Sequence, residues 1–334
     1  MTPAPLAISL GDPAGIGPEL LCRAWLARDA QQLLPFFVVG GAGVLAAAAR
    51  ACGLDVPVNP VSDPADAATA FAGGLPVLGD LDGDYRPGQP CPAGAALALR
   101  SLEHAAELAV SGTAAGVVTA PVSKARLAEA GFAHPGQTEF MAHQCGRPVC
   151  DAVMMLAGPN LRTVPVTVHC ALSRVSALLT AELVETRTRT VFEALQRDFG
   201  IGEPRIAIAA LNPHASEEGA FGNEERTIIE PAIAALHGAG IMVTGPHPSD
   251  ALFAPRARKT YDAAICMYHD QALIPLKALD FDAGVNVTLG LPIVRTSPDH
   301  GTAFGIAGKG LADPGATIAA LKMAGEIVTR RRTA

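Results

Sequence analysis

The stretch DAAICMYHD (residues 262–270) runs from small apolar residues into a histidine and an aspartate. Two other stretches share this design, because RTVPVTVH (162–169) and RIAIAALNPH (205–214) also end an apolar run on a histidine. Short apolar runs of this kind predict buried strands. Helical stretches such as LVETRTRTVFEALQRDFG (183–200) separate them, and this alternation is typical of a parallel sheet with crossover helices. The sequence therefore predicts an α/β fold.

The same alternation covers the rest of the chain. LAISL (6–10), PFFVVG (35–40) and AAGVVTA (114–120) predict strands. Four stretches predict helices: PELLCRAWLARDA (18–30), VLAAAARACG (44–53), AGAALALRSLEHAAELAVSG (93–112) and ATIAALKMAGEIVTRR (316–331). With 334 residues the chain is long enough for about two domains.

Composition excludes several classes of function. The net charge of −7 argues against a nucleic-acid partner. The first residues lack the basic region of a signal peptide, and the longest uncharged stretch (30–49) holds a proline and three glycines, so we expect no membrane segment. Seven cysteines in a chain of this size suggest reduced thiols, and we expect a cytoplasmic protein.

The three histidines that follow the strands predict a metal site. Ligands of open α/β sheets bind outside the carboxyl ends of the strands. If these strands are parallel neighbours, His169, His214 and His269 could meet on one divalent ion, and three histidines with an open position form a recurring catalytic zinc arrangement. The alternative is that they are separate loop or core histidines.

Other polar residues are candidates for chemistry near these histidines. Asp250 and Asp270 could orient a histidine or move a proton, although Asp250 could also be a helix N-cap. Lys277, Asn286 and Arg295 could together hold a phosphate group, although each alone is more often a surface residue.

One glycine turn imitates a dinucleotide fingerprint. Residues 41–46 fit G-x-G-x-x-A between a strand and a helix, and Asp63 lies at a suitable distance. However, the neighbouring segment DVPVNPVSD (55–63) is broken by proline and is a poor second strand, so we favour a fold without this cofactor site. The turn GDPAGIG (11–17) has the wrong spacing for either phosphate fingerprint and predicts a tight strand-to-helix turn near an active-site mouth.

Seven blocks of the sequence resemble one enzyme family, the 4-hydroxythreonine-4-phosphate dehydrogenases of vitamin B6 biosynthesis. They run in the family's order: GDPAGIGPE (11–19), TAPVSK (119–124), GQTEF (136–140), LNPHA (211–215), MYHDQ (267–271), GVNVTLGLPIVRTS (284–297) and DHGTAFGIAGKG (299–310). The last block is also similar to the IAGKG loop of isopropylmalate and isocitrate dehydrogenases, which share that fold but not the G-x-G-x-x-G fingerprint.

The resemblance implies two α/β/α domains with the active site in a cleft between them, in a homodimer with a shared site. We expect residues 1–125 with 285–334 to form the domain with the cofactor loop. We expect residues 126–284 to carry the metal-binding histidines and the dimer contacts.

The resemblance also assigns roles to residues. It implies that His169, His214 and His269 bind one divalent cation (Zn, Mg or Co), with one histidine supplied by the partner subunit. Substrate binding falls to Gln137, Thr138, Lys277, Asn286 and Arg295, and NAD or NADP binding to His300, Gly301, Thr302, Ala303 and Gly308. Our candidates for proton transfer are Asp250, Asp270 and Lys277.

The implied reaction is NAD(P)-dependent oxidation of 4-phosphooxy-threonine at its C3 hydroxyl. Decarboxylation of the resulting β-keto acid then gives 3-amino-2-oxopropyl phosphate. A divalent ion beside the C3 oxygen would favour hydride departure and stabilise the enolate formed as CO2 leaves.

Two positions depart from the family pattern. Gln137 stands where relatives usually have histidine, which motivates an alternative substrate, another hydroxy acid or a cyclic diol. Gly305 stands where relatives commonly have an acidic residue for the adenosine ribose, so both NAD and NADP stay open. Two further classes are a metal-dependent hydrolase or aldolase and a non-catalytic ligand-binding protein.

Overall fold

The computed structural model describes residues 4–333, which form two compact units. Unit 1 contains residues 4–152 and Leu291–Thr333, and unit 2 contains Val153–Gly290. Within residues 4–333, no helix is both long enough and apolar enough to cross a lipid bilayer.

Within residues 4–333, strands form in all six predicted apolar runs and in six further segments. In chain order they are β1 (Leu6–Ser9), β2 (Phe36–Val39), β3 (Val58–Val61), β4 (Leu75–Leu78), β5 (Val117–Thr119), β6 (Val153–Ala157), β7 (Arg162–Pro165), β8 (Ile206–Ala209), β9 (Val243–His247), β10 (Ala263–Cys266), β11 (Val285–Leu289) and β12 (Arg295–Pro298).

The helices lie between the strands. In chain order they are α1 (Gly17–Leu26), α2 (Ala42–Ala51), α3 (Ala67–Ala70), α4 (Pro92–Val110), α5 (Lys124–Glu129), α6 (Gln137–Gln144), α7 (Val175–Leu178), α8 (Ala181–Arg197), α9 (Glu230–Gly238), α10 (Ser249–Leu252), α11 (His269–Asp280) and α12 (Gly315–Thr333). Short 3-10 helices cover Pro64–Asp66, Val149–Asp151, Leu172–Arg174, Pro213–Ser216, Ala257–Lys259 and Phe304–Ile306, and a π-helix covers Glu225–Ile229.

Unit 1 contains a parallel sheet with the strand order β3-β4-β2-β1-β5-β12. Strands β1, β2, β4 and β5 are buried along their whole length, as expected for strands with mainly apolar sequences. Strand β12 is also buried along its whole length, although its sequence is RTSP. The long helix α4 packs against β1, where Ala98, Leu102 and Ala105 contribute to the core. Small alanine side chains allow this close packing of helix on sheet.

Unit 2 contains a mixed sheet with the strand order β11-β6-β7-β10-β8-β9. Strands β7, β10, β8 and β9 are parallel to one another, whereas β6 is antiparallel to both β11 and β7. The purely parallel sheet that the alternating pattern predicted is therefore wrong for this unit. The connection between β6 and β7 has only four residues, which suits a hairpin and is too short for a crossover helix.

The units divide at other positions than the sequence suggested. Residues 126–152 belong to unit 1, because Phe140 and Met141 of α6 lie in the same core as Leu102 of α4. Residues 285–290 belong to unit 2, because β11 pairs with β6 along its whole length. Both differences arise from contacts distant in sequence.

The glycine turn at residues 41–46 is not available to a dinucleotide. The Asp82 carboxylate accepts hydrogen bonds from the backbone N–H groups of Gly43 (2.7 Å) and Val44 (3.3 Å) at the N-terminus of α2. A pyrophosphate would need these donors, and the protein's own carboxylate occupies them. The neighbouring segment does form a strand, β3, contrary to our expectation. Pro60 is tolerated there because β3 is the edge strand of the sheet in unit 1.

Candidate active site

The three strands that precede the candidate histidines are parallel neighbours, which meets the condition set for the three histidines to meet. Strand β10 pairs with β7 on one side and with β8 on the other, so their carboxyl ends lie at one edge of unit 2. His169 lies four residues beyond β7, His214 lies five residues beyond β8, and His269 is the first residue of α11 after β10.

Two of the three imidazoles come together. The ring centroids of His169 and His269 lie 5.8 Å apart. His269 Nδ1 is 2.7 Å from Asp270 Oδ1, a contact that orients a ring and leaves Nε2 as the ligating atom. Among residues 4–333 no group of three or more histidine, cysteine, aspartate or glutamate side chains is arranged to hold a metal ion. The described residues therefore bring two of the three candidate histidines together.

His214 lies on an irregular segment that adjacent carboxylates hold. Residues 214–218 all have φ between 45° and 66°, in the left-handed region that non-glycine residues rarely adopt. Glu225, 1% exposed, accepts hydrogen bonds from the backbone N–H groups of Leu211 (2.9 Å) and Asn212 (2.7 Å), and from Asn212 Nδ2 (3.0 Å). Asn212 Nδ2 also donates to Glu224 (2.8 Å). The strained backbone at residues 214–218 persists because the hydrogen bonds to Glu225 and Glu224 fix the preceding residues, Leu211 and Asn212.

The neighbouring carboxylate Glu224 has a lowered pKa. The Ser176 hydroxyl donates a hydrogen bond to it at 2.7 Å, and the Asn212 amide adds a second. These bonds stabilise the ionised form, so the pKa of Glu224 lies below its ordinary value. Glu224 is therefore an anion at neutral pH.

His214 lines a cavity of about 590 Å³ in unit 2. Its wall also contains Ser176, Leu211, Asn212, Glu224, Ser249, Asp250, Tyr268 and Gln271. Gln271 Nε2 donates to Ala210 O and Ser249 Oγ, both at 2.7 Å, which ties the end of β8 to α10 and α11. Asp250 is exposed at this cavity. It lies in the first turn of α10 after the N-cap Pro248, so the alternative of an Asp250 N-cap is wrong.

Helix α11 carries two further candidates. Asp270 and Lys277 are seven residues apart in this helix, so they lie on one face about two turns apart. Asp270 is largely exposed and Lys277 is half-buried. Because Asp270 already contacts the His269 ring, its position suits orientation of the imidazole.

Asn286 has an unused acceptor in unit 2. It lies on β11 opposite Leu156 of β6. Its Oδ1 is buried and has no hydrogen-bond partner within residues 4–333. Buried polar atoms are normally paired, so this atom indicates a ligand.

Arg295 is buried in unit 1, contrary to the alternative of a surface residue. It is the first residue of β12 and is 3% exposed. Its Nη2 donates to Thr119 Oγ1 (2.8 Å) at the end of β5 and to Gln137 Oε1 (2.7 Å) in the first turn of α6. Burial lowers the pKa of Arg295 to about 10, although the Glu139 carboxylate opposes this, so the guanidinium stays charged at neutral pH. Thr138 is half-buried in the same turn.

The predicted cofactor loop lies in unit 1. His300, Gly301 and Thr302 precede a 3-10 helix that begins after Ala303, whose φ is 43°. The His300 Nε2 is buried and has no hydrogen-bond partner in the described part of the chain. At Gly308, φ is 71° and an added Cβ would lie 2.8 Å from Pro87, so only glycine fits there. A Cβ at Gly305 would meet open space.

Several residues of these networks were absent from the predicted set, among them Thr119, Ser176 and Glu225. Thr119 lies inside the block TAPVSK and its position after a strand was a usable signal, but Glu225 and Ser176 carry no motif. Their roles depend on contacts between segments that are distant in sequence.

Comparison with known proteins identifies the family. A family model described as "Pyridoxal phosphate biosynthetic protein PdxA" matches residues 32–324. The chain belongs to the PdxA family. A protein of Erythrobacter litoralis named 4-hydroxythreonine-4-phosphate dehydrogenase is 62% identical to it over 330 residues, which cover 99% of this chain and 98% of the relative. The prediction of an oxidoreductase of this family is thereby confirmed.

Solved structures of the PdxA family and of a related enzyme share the fold. The crystal structure of 4-hydroxythreonine-4-phosphate dehydrogenase from Klebsiella pneumoniae is 37% identical, with a TM-score of 0.85 over 97% of this chain and 99% of that chain. A terephthalate 1,2-cis-dihydrodiol dehydrogenase from Burkholderia xenovorans is 29% identical, with a TM-score of 0.66 over 97% of this chain and 98% of that chain. The predicted α/β fold is confirmed.

Proposed function

We propose that this protein oxidises 4-phosphooxy-L-threonine at its C3 hydroxyl with NAD or NADP, in the biosynthesis of vitamin B6. A bound nicotinamide would accept the C3 hydrogen as a hydride, and a protein base would take the hydroxyl proton. The resulting β-keto acid would lose its carboxyl group as CO2, and protonation of the enolate at the carbon that carried the carboxyl group would give 3-amino-2-oxopropyl phosphate. The observation that carries this proposal is the similarity over almost the full length to a relative named for this substrate.

Cations and amides of this chain would bind the anionic substrate. Arg295 suits a phosphate or carboxylate, because a buried guanidinium gains charge-assisted hydrogen bonds when an anion arrives. Asn286 offers a buried acceptor that a hydroxyl or ammonium group could satisfy. Lys277, Gln137 and Thr138 complete the proposed substrate set.

We assign a divalent cation, Zn, Mg or Co, to His169, His214 and His269. The pair formed by His169 and His269 supports this assignment, and Asp270 would keep the His269 ring in the required orientation. When bound, the ion would supply a Lewis acid beside the reacting oxygen, and the nicotinamide would accept the hydride.

Proton transfer is assigned to Asp250, Asp270 or Lys277. Contact with the His269 ring favours an orienting role for Asp270, which leaves Asp250 and Lys277 for the proton. Asp250 is exposed in the cavity that contains His214, so it can exchange a proton with solvent. The expected result for Asp250→Asn is a fall in kcat with retained cation binding, and an unchanged kcat would assign the proton to Lys277.

The nicotinamide dinucleotide would bind the loop that contains His300, Gly301, Thr302, Ala303 and Gly308. Because a side chain at Gly305 would meet open space, Gly305→Asp tests the proposed ribose contact without disturbing packing. An acidic residue there would repel a 2′-phosphate, so the variant should lose NADP activity and keep NAD activity.

We propose a homodimer that shares its active sites. Unit 2 exposes several large apolar side chains, among them Leu172, Ile274 and Phe281, as an interface would. Mixing His214→Ala with His269→Ala tests the shared site, since a mixed dimer would regain one complete set of three histidines. Random exchange of subunits predicts recovery of about a quarter of wild-type activity. Absence of recovery in mixed dimers would mean that His214 and His269 of one site come from the same chain.

The proposed reaction is tested with purified protein, 4-phosphooxy-threonine, each nicotinamide cofactor and each divalent metal. We expect reduced cofactor and CO2 in equal amounts. Unphosphorylated 4-hydroxythreonine is the matched control and should react far more slowly.

A second candidate is the oxidation of a cyclic diol. Two observations favour it: the neutral Gln137 beside Arg295, and the similarity to the dihydrodiol dehydrogenase. Turnover of a cis-dihydrodiol without turnover of the phosphorylated substrate would establish this alternative.

A further inference from the structure

The block GDPAGIGPE (11–19) contacts the loop at residues 302–312 that is proposed to bind the cofactor. The turn ends in α1, and the first residues of that helix contact residues 302–312 of unit 1. Ile16, Leu20, Ala307 and Ala312 form one buried apolar cluster. The loop therefore rests on α1.

Three hydrogen bonds join α1 and its N-terminus to the loop. The Ile16 N–H donates to Thr302 O at 3.0 Å. The Ala312 N–H donates to Glu19 Oε1 at 3.3 Å, and Arg23 Nη2 donates to Gly310 O at 2.8 Å. These bonds reach the loop near its beginning and near its end.

Two of these bonds depend on a pair of charged residues. Glu19 is completely buried, and its Oε1 lies 3.4 Å from Arg23 Nε. A buried carboxylate is costly unless it is paired and hydrogen-bonded. Arg23 supplies the opposite charge and the Ala312 N–H donates to Oε1, whereas Glu19 Oε2 and Arg23 Nε have no hydrogen-bond partner within residues 4–333. Glu19 and Arg23 each also contact the backbone of the loop.

The loop needs such support because its backbone is irregular. Ala303, Gly308 and Gly310 have φ values of 43°, 71° and 69°, so no regular hydrogen-bond ladder fixes it. A Cβ at Gly15 would lie 2.9 Å from Thr302 O, which shows how closely the turn and the loop approach. Here the glycine allows a close backbone contact.

We infer that Glu19 and Arg23 are positioning residues that hold residues 302–312 in the conformation that binds the nicotinamide dinucleotide. They would act through Gly310 and Ala312. This inference rests on the proposed function for the identity of the ligand.

The test compares Glu19→Gln, Arg23→Met and Arg23→Lys with wild type. If the loop holds the binding conformation only about a tenth of the time in the first two variants, the Kd for NADH or NADPH rises about tenfold. The KM for the dinucleotide should rise with little change in kcat at saturation, and Arg23→Lys should recover part of the affinity. Glu107→Gln and Arg50→Met, both at exposed positions, are the matched charge controls.

A second measurement follows the loop directly. Hydrogen exchange of the 302–312 amides, without cofactor, should accelerate in Glu19→Gln and Arg23→Met and stay unchanged in both controls. If Glu19→Gln does not fold, Arg23→Met decides the result, since Arg23 is partly exposed.

Wild-type affinity and wild-type exchange in Arg23→Met would overturn the inference. If wild type itself binds neither NADH nor NADPH, the proposed function fails. The exchange measurement then still decides whether Glu19 and Arg23 position the loop.

Discussion

Arg295 lies on regular secondary structure, whereas His214 lies on an irregular segment beside a carboxylate network. Arg295 begins a buried strand, and its two named partners come from the end of β5 and the start of α6. His214 lies on a left-handed irregular segment, and the preceding residues are bonded to the buried Glu225. Regular elements position the cation of unit 1, whereas a carboxylate network positions the histidine of unit 2.

This difference shows which kind of change each region tolerates. Side chains on strands and helices are placed more rigidly than side chains on loops. We therefore expect loss of a partner to alter binding at Arg295, and to alter both folding and binding at His214.

The largest effect is expected for Glu225→Ala. The variant leaves three donors of Leu211 and Asn212 without their acceptor, which should cost about 3 kcal/mol of unfolding free energy. Divalent cation affinity should fall roughly tenfold or more, because the contacts that hold the residues before the proposed ligand His214 are lost. Urea denaturation and chelator competition measure the two quantities. The control is Glu230→Ala at an exposed position, and unchanged cation affinity in Glu225→Ala would contradict the role given to Glu225.

Arg295→Ala should act on substrate binding. Loss of a charge-assisted partner should raise the KM for the phosphorylated substrate roughly 10- to 100-fold, with a smaller change in kcat. Arg295→Lys should recover only part of the substrate affinity, because lysine lacks the planar fork of donors. Steady-state kinetics measure KM and kcat, and Arg100→Ala is the control variant. A wild-type KM in Arg295→Ala would show that Arg295 does not bind the substrate.

A smaller effect is expected for Thr119→Val, which has nearly the same shape but removes the acceptor 2.8 Å from Arg295. The KM should rise about two- to tenfold, as for a neutral hydrogen bond. Gln137→Ala should behave similarly, and the double variant should be non-additive because both residues hold one guanidinium. Simple additivity would show that Thr119 and Gln137 act separately.

The smallest effect is expected from Glu224. Its lowered pKa, caused first by the Ser176 hydrogen bond, means that the folded state binds a proton less readily than the unfolded state. The stability it contributes is therefore present above its ordinary pKa of 4.5 and is lost as the pH falls below that value. Thermal midpoints across this range should depend less on pH in Glu224→Gln than in wild type. Identical pH profiles would be the contrary outcome.

The ends of the strands before the histidines could be predicted from the sequence, whereas the order and direction of the strands in the sheets could not. Apolar runs predicted the three strands that end before His169, His214 and His269, because local strand patterns determine which residues end a strand. That these strands are parallel neighbours was seen only in the structure. The antiparallel β6 lay outside the prediction because apolar runs carry no information on direction. The hydrogen bonds from the glycine turn to Asp82 could not be predicted either, because Asp82 lies 38 residues after Val44 in the chain.

The sequence by itself determined the family, the α/β fold and the types of side chain available for catalysis. These follow from local patterns and from motifs that are contiguous in the chain. Only the tertiary structure decided that Gln137 and Thr119 hold Arg295, that Glu225 holds the residues before His214, and that Glu19 and Arg23 lie under the loop at 302–312. The physical reason is that each of these hydrogen bonds joins segments whose proximity is created by packing of the sheet and helices.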